Sequence, residues 1–454
     1  MNGKEITNCK LGINNKKQTS TITKNQKPVP KNKLKVVELF AGVGGFRIAL
    51  EGYPKKKNAD FEVVWSNQFE PRTKKQHANM VYKNCFPNAN HSEEDFEDIA
   101  LKGINNFVKH DLLVGGFPCQ DFSIANRTAN KGLDGKKGKL WWSIESFLKQ
   151  LKGDAPKYLL LENVDRLLLS PTVQRGRDFA VILASLNSLG YAIEWRVINA
   201  ADYGFPQRRR RVFILGYKKG TALYSKLKKE IPINWITQNG IAAKAFPVTS
   251  TDRIATGTIP PSTAEIMTSF SNDKTRFKKA GIMIDGVYHT QNIKPKYTGI
   301  KTTLGAILLD EKQIPESFYI KEKDLPKWEF EKGAKEIHRV SKHTGKPYVY
   351  REGNVPFPDA LDKPARTMLT REGGTYIARE KHVVKVNGRY RRLHPIELER
   401  INGFPDDFTK CDGVTDNQRA FFMGNALVIG VVEKLAKELG VGSRQLAVGS
   451  RQSQ

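Results

Sequence analysis

Two residues stand where their side chains could take part in covalent chemistry. Cys119 lies in the stretch GGFPCQDFS, directly after an apolar run, on a loop that Pro118 restrains. A lone cysteine is more often a small buried apolar residue than a nucleophile, but a glycine- and proline-bounded loop favours the second interpretation. Glu162 follows the apolar run YLLL, where a carboxylate is costly unless it is paired or protonated. A thiol nucleophile and a proton-donating carboxyl group are therefore the candidate reactive groups.

A run of arginines in YGFPQRRRRVF is the third chemical feature. If this stretch forms a strand, alternation places Gln207, Arg209 and Arg211 on one face and the other two arginines opposite. Solvation alone does not explain four arginines that enter a buried strand. Some of them should bind a fixed anion or a carboxylate.

The elements that must hold these groups are short apolar strands that alternate with helices. KVVELFAGVGGF begins as a β-branched strand and continues into a glycine turn and a helix. Further strands are predicted at FEVVWSN, HDLLVGGFP, KYLLLENV, IEWRVINA and RRVFILGY, with helices such as WWSIESFLKQL and DFAVILASLNSLG between them. This pattern predicts an α/β fold with a parallel sheet. Ligands bind beyond the carboxyl ends of such strands, where FAGVGG, Cys119 and Glu162 all fall.

The composition restricts the class of protein. The chain has 454 residues, which is enough for two or three domains, and its longest apolar runs are short and bounded by charge. We therefore expect no signal peptide and no membrane span. Cys9, Cys85, Cys119 and Cys411 form no CxxC pair and no regular spacing. A disulfide framework or a zinc site is not expected, and a reducing cytoplasm fits this pattern.

The charge is the strongest signal in the composition. The chain has 75 Lys and Arg residues against 47 Asp and Glu residues, a formal net charge of +28. A lysine-rich composition can serve solubility alone. The sharper interpretation is a polyanionic partner, most often nucleic acid, because Lys and Arg neutralise phosphates and release counterions.

Five stretches in a fixed order carry a family resemblance. FAGVGG, GGFPCQDFS, ENV, QRRRR and GNALVIGVV resemble the motif series of the DNA (cytosine-5)-methyltransferases, from about Lys35 to Gly440. PARTMLTREGG and RRLHPIELERINGFPDDF resemble the segments that organise and follow the target-recognition domain of that family. The resemblance implies an α/β, Rossmann-like S-adenosylmethionine-dependent methyltransferase fold, with a mixed, mostly parallel sheet and flanking helices. A smaller, irregular, partly β target-recognition domain would complete it.

The same resemblance implies a mechanism. A sequence-specific enzyme would flip a target cytosine out of duplex DNA, and Cys119 would add to C6 while S-adenosylmethionine gives its methyl group to C5. Glu162 would hold the Watson–Crick edge and protonate or hydrogen-bond N3. Arg209 would help to fix the base and the catalytic loop, with Gln207 and Arg211 as structural or phosphate-side partners. The loop SIANRTANKGLDGKKGKL has the composition of a mobile lid.

The resemblance also implies a cofactor site built from residues that follow several strands. Asp95 would meet the adenine, with Asp98 as the alternative alignment. Many members of the family have a Glu after the second strand for the ribose hydroxyls; Gln68 aligns there, and Glu70 remains a candidate. The other residues expected against the cofactor are Phe40, Gly42, Gly44, Gly45, Pro118, Leu140 and Asn425.

The sequence predicts five segments. Residues 1–33 are a basic, disordered tail, 34–217 the catalytic and cofactor-binding domain, 218–365 the target-recognition domain, 366–440 the end of that domain and the return to the catalytic domain, and 441–454 a disordered tail. The expected partner is double-stranded DNA. We expect no metal and no membrane contact, and a monomer in the cytoplasm of a bacterial or phage-infected cell.

Three other classes of protein were weighed against this one. A cysteine hydrolase needs a histidine base near Cys119, whereas His110 precedes the strand and would sit at its opposite end. An inactive DNA-binding module would have no need of Cys119, Glu162 and Arg209 together. A tRNA methyltransferase could share the fold, but the long basic insert at 218–360 favours duplex DNA. The sequence leaves open whether a restriction enzyme accompanies the protein.

Overall fold

The structure is a computed structural model in which part of the chain is described. Several predictions fall outside the described residues: the tail at 1–32, Pro118 and Cys119, the lid up to residue 138, and residues 450–454. The described residues are 33–54, 60–71, 73–104, 107–117, 139–171, 174–270, 277–340 and 345–449.

The strands and helices follow the predicted alternation in the first half of the chain. The strands are β1 Leu34–Leu39, β2 Phe61–Asn67, β3 His91–Ser92, β4 Leu112–Gly116, β5 Tyr158–Val164, β6 Tyr191–Asn199, β7 Arg210–Lys218, β8 Val248–Ser250, β9 Ala255–Thr258, β10 Ala280–Ile284, β11 Val287–Gln291, β12 Ile293–Pro295, β13 Lys335–Val340, β14 Pro347–Glu352, β15 Val383–Val386 and β16 Arg389–Arg392. The helices are α1 Gly45–Glu51, α2 His77–Cys85, α3 Phe96–Lys102, α4 Lys139–Leu151, α5 Arg177–Ser188, α6 Ala222–Lys229, α7 Pro232–Asn234, α8 Ile241–Ala245, α9 Thr263–Ser269, α10 Leu325–Lys332, α11 Pro395–Asn402, α12 Asp416–Asn425 and α13 Ile429–Gly449.

One large sheet organises the described part of the chain. Its strand order is β3-β2-β1-β4-β5-β7-β6-β10-β11-β9. The strands from β3 to β5 are parallel, and β7 runs antiparallel between β5 and β6. The chain order reverses between β1 and β4, so the ends of these two strands flank the crevice where ligands bind in such sheets. The predicted α/β fold, a mixed sheet with flanking helices, is confirmed.

The central strands are buried on both faces, as apolar parallel strands require. Alternate residues contribute to two cores, one on each side of the sheet. Val36, Leu112 and Leu160 belong to the core that also contains residues of α1, α2 and α13. Val37, Leu113 and Leu159 belong to the core that contains residues of α4 and α5. The glycine turn and the loop after β4 therefore start from rigid strand ends.

The predicted recognition segment is not separate from the sheet at its beginning. β10 pairs with β6, and β11 and β9 continue the same sheet. The reason is burial: Ile282 and Met283 on β10 are almost completely buried, one in each core. The strands β9, β10 and β11 thus extend the same sheet. The domain boundaries drawn from the sequence remain predictions.

The second part of this segment is built differently. After β12, short turns lead to α10 and to the antiparallel hairpin of β13 and β14. Residues 365–392 then return past the active-site end of the sheet and form the small pair β15 and β16. We use the name recognition region for residues 301–392.

The carboxyl-terminal segment contains two helices and differs from the prediction at its end. Residues Ala426–Val428 separate α12 from α13, which carries Val431 and Val432. The prediction of disorder from residue 441 is wrong for the described residues, because α13 continues to Gly449. Gly442 still has packing partners: a Cβ there would lie 3.1 Å from Ile241 and 3.2 Å from Leu223.

Candidate active site

The glycine turn after β1 has the backbone of a ligand-binding loop. Phe40, Gly42 and Gly44 all have positive φ, at 53°, 57° and 95°. A positive φ costs free energy for Phe40 and is typical of functional loops, whereas glycine adopts it freely. A Cβ built on Gly42 meets nothing within 4 Å, so the turn exposes its backbone to open space. This is the space that a ligand needs to approach the main chain closely.

Gln68 holds this turn from the neighbouring strand. Its Oε1 accepts a hydrogen bond of 2.8 Å from the backbone nitrogen of Gly42, and the side chain is buried. Glu70 is half-buried two residues later, and its main-chain nitrogen donates to Gln76 Oε1 at 2.8 Å. Both candidates for the ribose thus lie beyond β2, but Gln68 is the one in contact with the glycine turn.

The buried carboxyl group of Glu38, near the end of β1, connects this strand to α1 and α2. Glu38 accepts hydrogen bonds from the Tyr82 hydroxyl at 2.9 Å and from the backbone nitrogen of Arg47 at 3.2 Å. Arg47 also pairs with Glu51 at 3.1 Å. Burial raises the pKa of Glu38 to about 7, although the hydrogen bond from Tyr82 and the charge of Arg47 act in the opposite direction. Sequence analysis missed this group, which an acidic residue in an apolar strand could have signalled.

Asp95 lies at the end of the short strand β3 and caps α3. Its Oδ1 accepts a hydrogen bond of 3.0 Å from the backbone nitrogen of Glu97. The next residue, Phe96, is buried and meets the Phe40 ring edge-on, with the centroids 5.5 Å apart. Asp98 is exposed on α3. Asp95 is therefore the alternative that adjoins the ring pair beside the glycine turn.

The ends of β4 and β5 bring Glu162 next to Gly116. Gly116 is the register partner of Glu162, and a Cβ on Gly116 would lie 3.2 Å from Glu162 Oε2. The Asn163 side chain donates a hydrogen bond of 3.2 Å to the carbonyl oxygen of Phe117. Cys119 follows two residues after Phe117, outside the described residues. Sequence analysis gives no role to Asn163, but a polar residue near the end of a buried strand can hold a neighbouring loop through its side-chain amide.

Glu162 is paired, as a carboxylate at this depth requires. Arg211 Nε lies 2.8 Å from Glu162 Oε1, and only 17% of the arginine side chain and 14% of the glutamate side chain are exposed. The pair forms because β7 runs antiparallel to β5, which makes Arg211 the register partner of Val164. Arg211 is thus the arginine that contacts the candidate proton donor.

Arg209 contacts the carboxyl-terminal half of the chain. It is buried, and its guanidinium group donates to the carbonyl oxygens of Met368 at 3.2 Å and Gly424 at 3.1 Å. Gln207 is also buried and donates to Asn402 Oδ1 at 3.0 Å. The alternation of buried and exposed residues predicted for 207–211 is present, but the strand begins only at Arg210. Arg209 and Gln207 bind the carboxyl-terminal half of the chain, whereas the direct contact with Glu162 belongs to Arg211.

The remaining cofactor candidates lie on two later elements. Leu140 is half-buried at the first turn of α4, and Asn425 is exposed at the end of α12. A Cβ on Gly45 would lie 3.4 Å from Leu427 and 3.4 Å from Phe404. The carboxyl-terminal segment therefore packs directly on the helix that follows the glycine turn, and Pro118 lies outside the described residues.

The arrangement suits an organic ligand with a ring and a polar chain. Phe40 offers an aromatic surface, Gly42 an open backbone, and Gln68 and Asp95 hydrogen-bonding groups at neighbouring strand ends. The described residues bring no three His, Cys, Asp or Glu side chains together in a way that could hold a metal ion. Within the described ranges, every helix is too short or too polar to cross a lipid bilayer.

Comparison with known proteins identifies the class. The family model for C-5 cytosine-specific DNA methylases matches residues 34–441. The chain therefore belongs to the C-5 cytosine-specific DNA methylase family, and the family and enzyme class predicted from the sequence are confirmed. This family implies S-adenosylmethionine as the methyl donor.

Individual relatives support the assignment. The type II methyltransferase M.Sau3AI of Staphylococcus aureus is 45% identical over 413 residues, which cover 90% of this chain and 96% of that protein. M.HhaI of Haemophilus parahaemolyticus, also a type II methyltransferase, is 26% identical over 90% of this chain and 94% of that protein. Among solved structures, the Entamoeba histolytica methyltransferase EhMeth superposes with a TM-score of 0.52 at 15% identity, over 90% of this chain and 98% of that one. The last similarity concerns the fold alone.

Proposed function

We propose that the protein is a sequence-specific DNA cytosine-5 methyltransferase of a restriction–modification system, active as a monomer, with Cys119 as its nucleophile. The observation that carries the proposal is the Arg211–Glu162 pair of 2.8 Å at the end of β5, opposite Gly116. The pair lies opposite Gly116, which precedes Cys119 by three residues in the chain. Attack of a thiolate on a cytosine ring needs such a carboxyl group and cation beside the base.

The steps follow from the chemistry of the base. The C5 atom of cytosine is buried in the duplex, so the base must first be flipped out. The Cys119 thiolate forms a bond to C6, and the electron pair of the C5–C6 bond shifts to C5 while Glu162 gives or shares a proton at N3. S-adenosylmethionine, when bound, supplies the electrophilic methyl group for C5. Loss of the C5 proton to water then breaks the bond between sulfur and C6 and restores the ring.

Arg211 and Arg209 have separate tasks in this proposal. Arg211 orients Glu162 and lies next to the flipped base. Arg209 is a positioning residue that connects the start of β7 to the backbone at Met368 and Gly424. Gln207 adds a second connection, to Asn402. The base-contacting arginine of the mechanism is therefore Arg211.

The methyl donor fits the crevice at the ends of β1, β2 and β3. The open backbone at Gly42 and the side chain of Gln68 would hold its polar part, and Phe40 and Asp95 its adenine end. The remaining members of the proposed site are Gly44, Gly45, Glu70, Pro118, Leu140 and Asn425.

Trapping tests the nucleophile. Duplex DNA with 5-fluorocytosine at the target should form a covalent complex that survives denaturing electrophoresis, and only when S-adenosylmethionine is present, because fluorine cannot leave as a cation. Cys119→Ala should lose both trapping and turnover but still bind duplex DNA. Cys411→Ala is the matched control, since Cys411 is a half-buried cysteine in the carboxyl-terminal segment, and it should retain both. Methylation by Cys119→Ala at the wild-type rate would disprove the mechanism.

A further inference from the structure

The recognition region contains one element that projects from the rest. The hairpin of β13 and β14 pairs residues from Lys335 with Glu352 to Val340 with Pro347. On one of its faces every side chain is exposed, and this outward face consists of Glu336, His338, Val340, Pro347, Val349 and Arg351. A two-stranded hairpin that buries so little is marginally stable by itself and needs support at its base or a partner on its face.

The base of the hairpin has that support. Arg379 donates to the carbonyl oxygens of Glu331 at 2.9 Å and Gly333 at 2.8 Å, just before β13, and to the carbonyl oxygen of Gly353, just after β14. It also lies 3.7 Å from Glu352. One guanidinium group therefore holds both strands where they leave the region. The hairpin is fixed at its base and open along its outward face.

The segment that holds the base of the hairpin also contacts the strand β7 of the candidate active site. The carbonyl oxygen of Ala365 accepts a hydrogen bond of 2.8 Å from the nitrogen of Arg208, and Arg209 binds Met368. Arg366 pairs with Asp359 at 2.6 Å and donates to the carbonyl oxygen of Lys381 at 2.9 Å. Residues 365–381 thus connect β7, which carries Arg211, with the base of the hairpin. The position of the hairpin is set relative to the flipped base.

The size and charge of the hairpin match one partner. Strands pair about 4.8 Å apart, and a two-stranded ribbon fits the major groove of B-DNA, which is about 12 Å wide. The described parts of the hairpin, 335–340 and 345–352, contain the cations Lys335, Arg339, Lys346 and Arg351 against Glu336 and Glu352. This excess of positive charge is complementary to the phosphates that line the groove.

We propose that the β13–β14 hairpin enters the major groove and that its outward face reads the base edges of the recognised word; this inference rests on the proposed function. Arg351 is the candidate to donate to a guanine, and Glu336 to accept from a cytosine amino group. The two side chains pair at 3.0 Å, with 73% and 53% of their surface exposed, so the pair stabilises the free protein little and can reorient toward bases. Val340 and Val349 suit contact with a thymine methyl group.

The test begins with the word itself. A library of random duplexes is methylated by the wild-type protein, and bisulfite sequencing gives the recognised word. The kcat/KM is then measured for that word and for duplexes with one base pair changed. For Arg351→Ala we expect about a 10- to 100-fold loss on the recognised word and a loss of preference at one base pair, because a good bidentate contact gives discrimination of this order. Lys323→Ala removes the same charge from an exposed turn of the recognition region and should stay within about twofold.

The outcomes separate the two proposals. If the wild-type protein methylates no cytosine, the proposed function itself fails. If it methylates a defined word, while Arg351→Ala and Glu336→Gln both retain rate and preference, the hairpin does not read bases. A uniform loss across all duplexes for Arg351→Ala would indicate a phosphate contact instead and would also overturn the inference. Both substitutions are at exposed positions, so unchanged melting temperatures are expected and would show that folding is intact.

Discussion

The active-site end of the sheet and the recognition region both bury charged groups, but among the described residues the buried lysines lie in the recognition region. At the ends of β1 and β5 the carboxyl groups of Glu38 and Glu162 each lie beside an arginine. The lysines of the recognition region bind backbone carbonyls instead: Lys381 donates to Gly374 and Tyr376 at 2.8 Å each, and Lys332 donates to the carbonyl oxygen of Lys381. Burial lowers the pKa of Lys332 and of Lys381 to about 8 in each case.

The difference follows from the amount of apolar surface in each region. The sheet has a large core on both faces, so its polar groups are needed only where strands end. The separate apolar cluster of the recognition region consists of Leu309, Ile314 and Phe318. Cations that donate several hydrogen bonds to carbonyls therefore do there what apolar packing does in the sheet. The surface of such a region can change without a change in the core of the sheet.

The largest expected effect is on the catalytic side of the comparison. Glu162→Gln keeps the size of the side chain but cannot deliver a proton to N3, so the single-turnover methylation rate should fall by about 10²- to 10⁴-fold. Duplex affinity and the recognised word should not change. Glu145→Gln is the control, because Glu145 is a buried carboxylate on α4 that pairs with Lys149 away from the strand ends. A loss of preference for the word in Glu162→Gln would show that the two regions are not separable.

The next effect concerns pH and stability on the same side. Because the pKa of Glu38 is raised from 4.5 to about 7, the folded protein binds a proton between these pH values that the unfolded chain does not. Stability from this group is therefore complete below pH 4.5 and is lost as pH rises through 7. The shift corresponds to about 3 kcal/mol as an upper bound. The side chain of Glu38→Gln does not titrate. The free energy of unfolding of this variant, relative to that of the wild type, should therefore increase as pH rises from 5 to 8.

Chemical denaturation at several pH values measures this change. A constant difference between the two proteins across the range would contradict the assigned titration. Glu62→Gln on β2 is a control, since the Glu62 side chain is exposed. Its free energy of unfolding should follow that of the wild type across the pH range.

A substitution in the recognition region should change the preference between DNA words more than it changes the kcat. Arg379→Ala removes the group that holds both strands of the hairpin at its base, so the ratio of kcat/KM between the recognised word and a singly changed word should fall by about tenfold, the value of one or two charged hydrogen bonds. The kcat on the recognised word should change much less. Arg379→Lys, which keeps the charge and some donors, should restore part of the preference. If kcat and preference fall together, Arg379 supports the whole region and not the hairpin alone.

The sequence was sufficient for β1, β2, β4, β5, β6 and β7, because apolar runs closed by glycine, cysteine or glutamate are local signals. The pairing of Glu162 with Arg211 was not visible, since it depends on the antiparallel register of β5 and β7. The place of Arg209 depends on Met368 and Gly424, which are more than 150 residues away in the chain. The sequence also does not predict β9. Its residues ATGT have a weak strand pattern, and the strand forms because it pairs with β11.

The smallest expected effect decides between the two residues at the end of β2. Gln68 accepts the hydrogen bond from Gly42 that fixes the glycine turn, whereas the main-chain groups of Glu70 are held by Gln76. Removing one buried hydrogen bond costs about 0.5–1.5 kcal/mol, so Gln68→Ala should raise the Kd for S-adenosylmethionine roughly three- to tenfold. Glu70→Ala should raise it less, because its side chain lies beyond the turn. Calorimetric titration of both variants measures the two values, and a larger loss in Glu70→Ala would return the ribose contact to the later carboxylate.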